Sequence, residues 1–203
     1  YFPAAYGRYN TGNKLWGPGI NPRLGWFLTE VASCVLFAVI YFMGDYAFDI
    51  VPLIFLLMWQ FHYFHRTFIF PFTVKVRPGA TTPIGIPLMA FFTNTVISFL
   101  NASILTWATI SRGYDISWLT DPRFIIGVLV FVSGYYVNKK ADAMLAALRK
   151  PGESGYKIPR GWLYEKITCP NYFGELLTWV GWSIATWSVA GWIFVLLTAA
   201  NLV

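Results

Sequence analysis

The sequence predicts an all-α fold, a polytopic membrane helical bundle. Three observations lead there: an apolar and charge-poor composition, a succession of long apolar runs, and a sorting of basic residues onto alternate loops. Hydrophobic residues make up 57% of the chain and charged residues 12%, against about 25% charged in an average soluble domain. So few charges cannot cover a water-facing surface, and lipid is the solvent that this composition suits.

Apolar runs lie at 31–44, 51–72, 84–110, 124–137, 173–188 and 189–203. They lack the alternation of barrel strands, and an isolated strand cannot satisfy its backbone in hydrocarbon, so each is read as a helix. Several fall short of the roughly 20 residues that a spanning helix needs. Flanking residues such as Trp26, Arg123 and Asn138 complete them, which gives expected spans near 26–44, 51–72, 84–110, 123–138, 173–188 and 189–203 in a single membrane domain, 1–203.

The loops divide by charge. Arg8, Lys14 and Arg23 precede the first span, Lys75 and Arg77 follow the second, and Lys139, Lys140, Arg149, Lys150, Lys157, Arg160 and Lys166 follow the fourth. Between them, on the other side, stand Asp45 and Asp49, then Arg112, Asp115, Asp121 and Arg123. The positive-inside rule makes the basic side cytoplasmic. Topology thus accounts for most of the net charge of +6, and no nucleic-acid partner is expected. The longest hydrophilic stretch, 139–172, lies on that face and is too long for a mere connector. Its Trp162, Tyr164 and Tyr172 speak against disorder.

Chemistry-bearing residues are few. Cys34 and Cys169 are the only cysteines, too few for a disulfide framework or a thiolate metal site. His62 and His65, in HYFH, are the only histidines; histidine-rich membrane metal centres need many more, and no metal is expected. GPG at 17–19 follows no strand and reads as a turn rather than a dinucleotide fingerprint. Glu30, in WFLTEVAS, has apolar residues on both sides, and an ionisable group at membrane depth is a functional candidate by default. Burial would favour its protonated form, able to donate a hydrogen bond; the alternative is a carboxylate that snorkels to the interface or pairs with Arg66. Tyr63, in QFHYFHRTF, is either an interfacial anchor or a catalyst. Asn94 and Asn101, two turns apart, are expected to bond across helices or line a cavity.

Five segments then resemble the steroid 5α-reductase (3-oxo-5α-steroid 4-dehydrogenase) family: YGRYNTG, WFLTEVAS, HYFHRTFIFPF, NKKADAMLAALRKPGESGYKIPRG and NYFGELLTWVGWSIATWS. They occur in family order over nearly the whole chain. The resemblance implies a seven-helix membrane fold, with the first helix absent and the last truncated here, and a break near 188–191. It implies that Glu30 and Tyr63 grip the substrate ketone. It implies that Arg77, Asn138, Asp142, Arg149, Tyr156, Asn171, Glu175 and Trp179 bind the cofactor, NADPH. Arg forks suit phosphate and Asn, Asp or Glu suit amide and ribose hydroxyls, so that set is chemically apt. The sequence departs from the family at Phe70, where steroid-reducing relatives commonly carry Tyr, and in GATTPIGIP, which lacks a substrate-side Arg.

The expected activity is NADPH-dependent reduction of the Δ4 double bond of 3-oxo-steroids. The expected setting is a multi-pass monomer in a bacterial inner membrane or the endoplasmic reticulum, with its cofactor site facing the cytoplasm. Within the same fold, a polyprenal or a trans-2-enoyl thioester is the alternative substrate, and a methyltransferase branch lacks its His-Pro motif here. Outside it, a small transporter using Glu30 for proton coupling would leave LRKPGESGYKIPRG without a purpose.

Overall fold

A computed structural model describes residues 16–76, 79–148 and 157–202. The chain is mostly helical and divides into two compact units, Tyr1–Tyr114 and Asp115–Val203.

In the first unit, β1 (Gly19–Ile20) leads into α1 (Pro22–Val31), which runs without interruption through a π-helical turn, Ala32–Leu36, into α2 (Phe37–Phe42). Proline at the first helical position and an Asn21 side chain accepting from Arg23 N at 2.9 Å fix that start. The second rod is α3 (Ile50–Phe64), a π turn at His65–Ile69 and α4 (Phe70–Thr73). Then come β2 (Thr82–Pro83), antiparallel to β1, and α5 (Gly85–Thr106). The Pro22–Phe42 rod and α5 are long and apolar enough to cross a membrane: 22 residues of α5 rise roughly 33 Å, against about 30 Å of hydrocarbon.

The two rods run antiparallel, as successive contacts show. Trp26 Nε1 donates to Arg66 O, Thr67 Oγ1 to Glu30 O, Trp59 Nε1 to Ser33 O and Gln60 Nε2 to Cys34 O, at 3.1, 3.3, 2.7 and 2.9 Å. Stacking of Phe37 on Trp59, 4.3 Å between centroids, extends this interface. Helix α5 closes it from the side, with Asn94 Nδ2 donating to Thr29 O and Ser98 Oγ to Ala32 O. Asn94 therefore bonds across helices, whereas Asn101 Nδ2 donates within its own helix, to Ile97 O.

The second unit begins with a 3₁₀ turn, Ile116–Thr120, whose Asp115 cap accepts from Ser117 N at 2.7 Å. There follow α6 (Pro122–Ala147), a 3₁₀ turn at Trp162–Glu165, α7 (Pro170–Thr186) and α8 (Val189–Leu202). Helices α6 and α7 touch backbone to backbone through glycines spaced by seven, Gly127 and Gly134 facing Gly181 and Gly174. A Cβ at any of the four would fall 2.2–2.4 Å from a backbone nitrogen of the partner helix.

Several boundaries differ from the sequence expectation: the first rod starts at Pro22 rather than 26, and α7 runs over Pro170–Thr186 rather than 173–188. The first rod stops at Phe42 rather than 44, and α5 at Thr106 rather than 110, because Tyr46 N bonds Thr106 O and Gly44 packs against Thr106. The fourth helix continues nine residues past 138, since NKKADAMLAA consists mostly of good helix formers, whose propensity persists outside the apolar run. The expected loop of 139–172 is thus helix up to Ala147. The break expected near 188–191 falls at Trp187, in the left-handed region at φ 47°, and Ser188 Oγ caps α8 by accepting from Gly191 N.

Candidate active site

The site in the first unit is built where the two rods cross. Glu30 is 5% exposed and its Oε1 accepts from Arg66 Nε at 3.1 Å and Nη2 at 2.8 Å. The structure therefore takes the ion-paired alternative for this carboxyl. A guanidinium donating twice to one oxygen is a charge-assisted contact and orients the group. Trp26 stacks its ring 5.1 Å from the Arg66 guanidinium carbon, which holds the cation from the other side.

Tyr63 is buried, one turn before Arg66 and Thr67 and one turn after Trp59. Trp59 meets Ser33, and Arg66 and Thr67 meet Glu30, so Tyr63 is bracketed by contacts to one face of the first rod. Its ring packs 4.9 Å from Trp59 and edge-on to the fully buried His62. Both candidate residues stand two positions before a π turn, Glu30 before Ala32–Leu36 and Tyr63 before His65–Ile69. Such turns interrupt the regular ladder and recur at functional sites.

Arg66→Met is expected to destabilise the protein by about 2 kcal/mol, the loss of hydrogen bonds to a charged group. The larger penalty of a fully buried pair does not apply, because the Arg66 side chain is 17% exposed. Thermal unfolding in detergent checks this, and adding Glu30→Gln should recover most of the loss.

The second unit carries a separate polar cluster. Asn138, on α6, donates through Nδ2 to Asn171 O and to Glu175 Oε2, both at 3.0 Å, while Trp179 Nε1 donates to Glu175 Oε1 at 3.1 Å. Two acceptors fix the amide orientation, and they turn Asn138 Oδ1, in a residue 3% exposed, to a position with no partner among the described residues. Gly174 makes this possible, since its missing side chain lets α7 reach Asn138 N. Asp142 lies one turn further along α6. The 162–165 turn seats on the same end: Tyr164 OH donates to Ala141 O at 3.1 Å, and Lys140 Nζ lies 4.5 Å over the Trp162 ring.

Burial, with Asp142 nearby, pushes the Tyr164 phenol up to about 12. A raised phenol stabilises the fold fully below its ordinary value near 10, and the contribution is lost as pH rises through about 12. Alkaline unfolding between those values should therefore flatten in Tyr164→Phe, as followed by tryptophan fluorescence.

The profile of the 3-oxo-5-alpha-steroid 4-dehydrogenase family matches residues 84–203. A steroid 5-alpha-reductase DET2 of Gossypium hirsutum is 38% identical over 205 residues, covering 100% of this chain and 78% of that protein. The 3-oxo-5-alpha-steroid 4-dehydrogenase 1 of Bos taurus is 37% identical over 198 residues, 95% of this chain and 74% of its own; that of Homo sapiens is 35% identical over 210 residues, at 96% and 77%. The chain belongs to the 3-oxo-5-alpha-steroid 4-dehydrogenase family.

Membership in this family of oxidoreductases, together with two apolar helices of spanning length, marks a membrane protein. Of the residues that the family resemblance implicated, Glu30 and Tyr63 belong to the two rods of one interface, and Asn138, Asn171, Glu175 and Trp179 form one bonded cluster with Asp142 a turn away. Arg77, Arg149 and Tyr156 lie outside the described residues. Sequence reasoning gives Tyr164 only as a sign of order in 139–172 and does not single out Ser33. The Gly127–Gly134 and Gly174–Gly181 spacings were visible signals of close helix approach that it left unused.

Proposed function

We propose that this family member is an NADPH-dependent reductase that saturates the Δ4 double bond of 3-oxo-steroids. The observation that carries the reading is the buried Tyr63, one helical turn before Arg66 of the Glu30–Arg66 pair, which places these polar groups at the interface of two apolar helical rods. Flat apolar substrates reach such a site from the bilayer. Relatives named steroid 5-alpha-reductase or 3-oxo-5-alpha-steroid 4-dehydrogenase, at 35–38% identity, support the choice of substrate class.

Tyr63 donates its hydroxyl proton as a hydrogen bond to the ketone oxygen. The Glu30–Arg66 pair, joined through Oε1, is assigned to the same oxygen through the family resemblance. Together they stabilise negative charge as it develops on the enolate oxygen, the kind of electrostatic assistance that usually contributes most. NADPH, when bound, supplies hydride for the β-carbon. Water delivers the proton that the α-carbon takes up, and the surrounding Trp59 and His62 rings keep bulk solvent from the carbonyl.

The second unit suits the dinucleotide. Asn138 Oδ1 is a buried acceptor with no protein donor among the described residues, ready for an amide N–H. Asp142 and the Asn171 side chain offer partners for ribose hydroxyls; Glu175 and Trp179 brace Asn138. Arg77 and Arg149 are assigned to phosphate, and Tyr156 to the cofactor, through the family resemblance. We read the whole chain as one reductase domain of the seven-helix type, a monomer in a bacterial inner membrane or the endoplasmic reticulum with the basic, cofactor-binding side in the cytoplasm.

The test is purification in detergent, assay for copurified nicotinamide dinucleotide phosphate, and turnover of testosterone or progesterone against a polyprenal and a trans-2-enoyl thioester. Steroid turnover should exceed the others; preference for either alternative, or solute flux without bound nucleotide, contradicts the proposal. In the same preparation Asn138→Ala should raise the Kd for NADPH by roughly tenfold or more, about 1.4 kcal/mol, with kcat at saturation less affected.

A further inference from the structure

We propose that the Ser33 hydroxyl is a third hydrogen-bond donor to the substrate carbonyl oxygen that Tyr63 and Glu30 hold. The inference rests on the reductase reading and adds a residue to it.

Ser33 is fully buried, and its Oγ has no hydrogen-bond partner among the described residues. That is against this protein's own habit. Helical hydroxyls elsewhere in it bond back to the carbonyl four residues earlier: Thr29, Thr93, Thr106, Thr178, Ser183 and Thr186 all do so, at 2.8–3.2 Å. Such back-bonding is the standard refuge of a hydroxyl in a nonpolar surrounding. For Ser33 the equivalent carbonyl is Thr29 O, and that oxygen takes Asn94 Nδ2 at 2.7 Å. Ser33 also sits inside the Ala32–Leu36 π turn, where the regular four-residue ladder is broken. An unsatisfied hydroxyl in a water-free interior is unfavourable and persists where something else satisfies it.

Position identifies the partner. Ser33 follows Glu30 by three residues, about one turn along the same helix. Its carbonyl accepts from Trp59 Nε1 at 2.7 Å, and Trp59 packs directly on Tyr63. Ser33 thus lies about a turn from Glu30 and, through the bond of its carbonyl to Trp59, beside the layer of the second rod that carries Tyr63. All three are closed off alike, at 0%, 5% and 4% exposure for Ser33, Glu30 and Tyr63. A serine hydroxyl rotates freely to meet such an acceptor.

The experiment compares wild type, Ser33→Ala and Ser33→Cys as full chains in detergent, reading kcat and KM with progesterone, NADPH affinity and the thermal midpoint. We expect Ser33→Ala to lower kcat by roughly 10- to 100-fold, at or below the lower end of the range for loss of one donor to a developing oxyanion, because the other groups on that oxygen remain. KM should change less, NADPH affinity should stay level, and the midpoint should be equal or higher because an unpartnered hydroxyl is removed. Ser33→Cys, a weaker donor of similar shape, should fall between. Wild-type kcat in Ser33→Ala overturns the proposal while leaving the reductase reading intact. A fall in kcat that tracks a lowered midpoint, or failure of Ser33→Ala to fold, overturns it as well, since either shows a structural role. Absence of progesterone reduction by the wild type removes the reductase reading itself.

Discussion

Tyr63→Phe should lower kcat for a 3-oxo-Δ4-steroid by about 100- to 1,000-fold, the range for deleting a preorganised donor to a developing oxyanion. The substitution removes only the hydroxyl. The ring keeps its packing on Trp59 and His62, at 4.9 and 5.1 Å between centroids, so the fold and the NADPH affinity should be retained. Glu30→Gln should act at the same step, because it takes the anion from Arg66 and disturbs the pair assigned to the ketone. The double variant should fall little below the worse single one, because residues that stabilise one oxygen act as a unit. A raised KM with unchanged kcat would show that the phenol merely binds the substrate. Steady-state kinetics in detergent, with NADPH absorbance as the readout, decide between these.

Gly181→Ala should destabilise the protein by on the order of 3 kcal/mol, the upper part of the overpacking range. In a helix facing open space the sign would be reversed, since alanine is favoured over glycine by about 1 kcal/mol. Here the new Cβ would lie 2.2 Å from Phe131 N, and a backbone atom cannot swing aside as a side chain can. Helices α6 and α7 must separate. Gly134→Ala meets Thr178 N at 2.4 Å and should behave alike, whereas Gly174→Ala, 2.4 Å from Asn138 N, should in addition weaken NADPH binding by displacing the Asn138 amide. Thermal unfolding of the three variants in the same detergent checks the order, and a midpoint at or above wild type for Gly181→Ala would refute the close approach.

Much of this architecture is legible in the sequence, because lipid leaves few options. Apolar runs gave the helical rods, and proline next to Asn21 and Asp121 marks two of their starts, each side chain accepting from the N–H two residues on. The end of α6 was misplaced for an instructive reason. Charge in NKKADAMLAAL reads as loop, but charge reports where a helix leaves the apolar run, whereas Ala, Met, Leu and Lys keep it helical. The π turns after Glu30 and Tyr63 carry no sequence signature, since they arise from the packing of one rod on another. For the same reason the pairing of Glu30 with Arg66 could only be offered as an alternative: 36 residues separate them, and only tertiary structure joins them. Asn138 and Glu175 were found by resemblance, not spacing. Their shared bonds depend on Gly174, whose role appears only when α6 and α7 are seen in contact.

The central claim, that this protein reduces a conjugated carbon–carbon bond while holding the neighbouring ketone unreacted, is tested most directly by isotope transfer. The purified protein would be given progesterone and NADPH carrying deuterium at the transferable position, and the product analysed by mass spectrometry and NMR. The account predicts one deuterium on the former β-carbon, a solvent-derived proton on the α-carbon and an intact 3-ketone. Deuterium on the carbonyl carbon, or a product formed without any label, would contradict it.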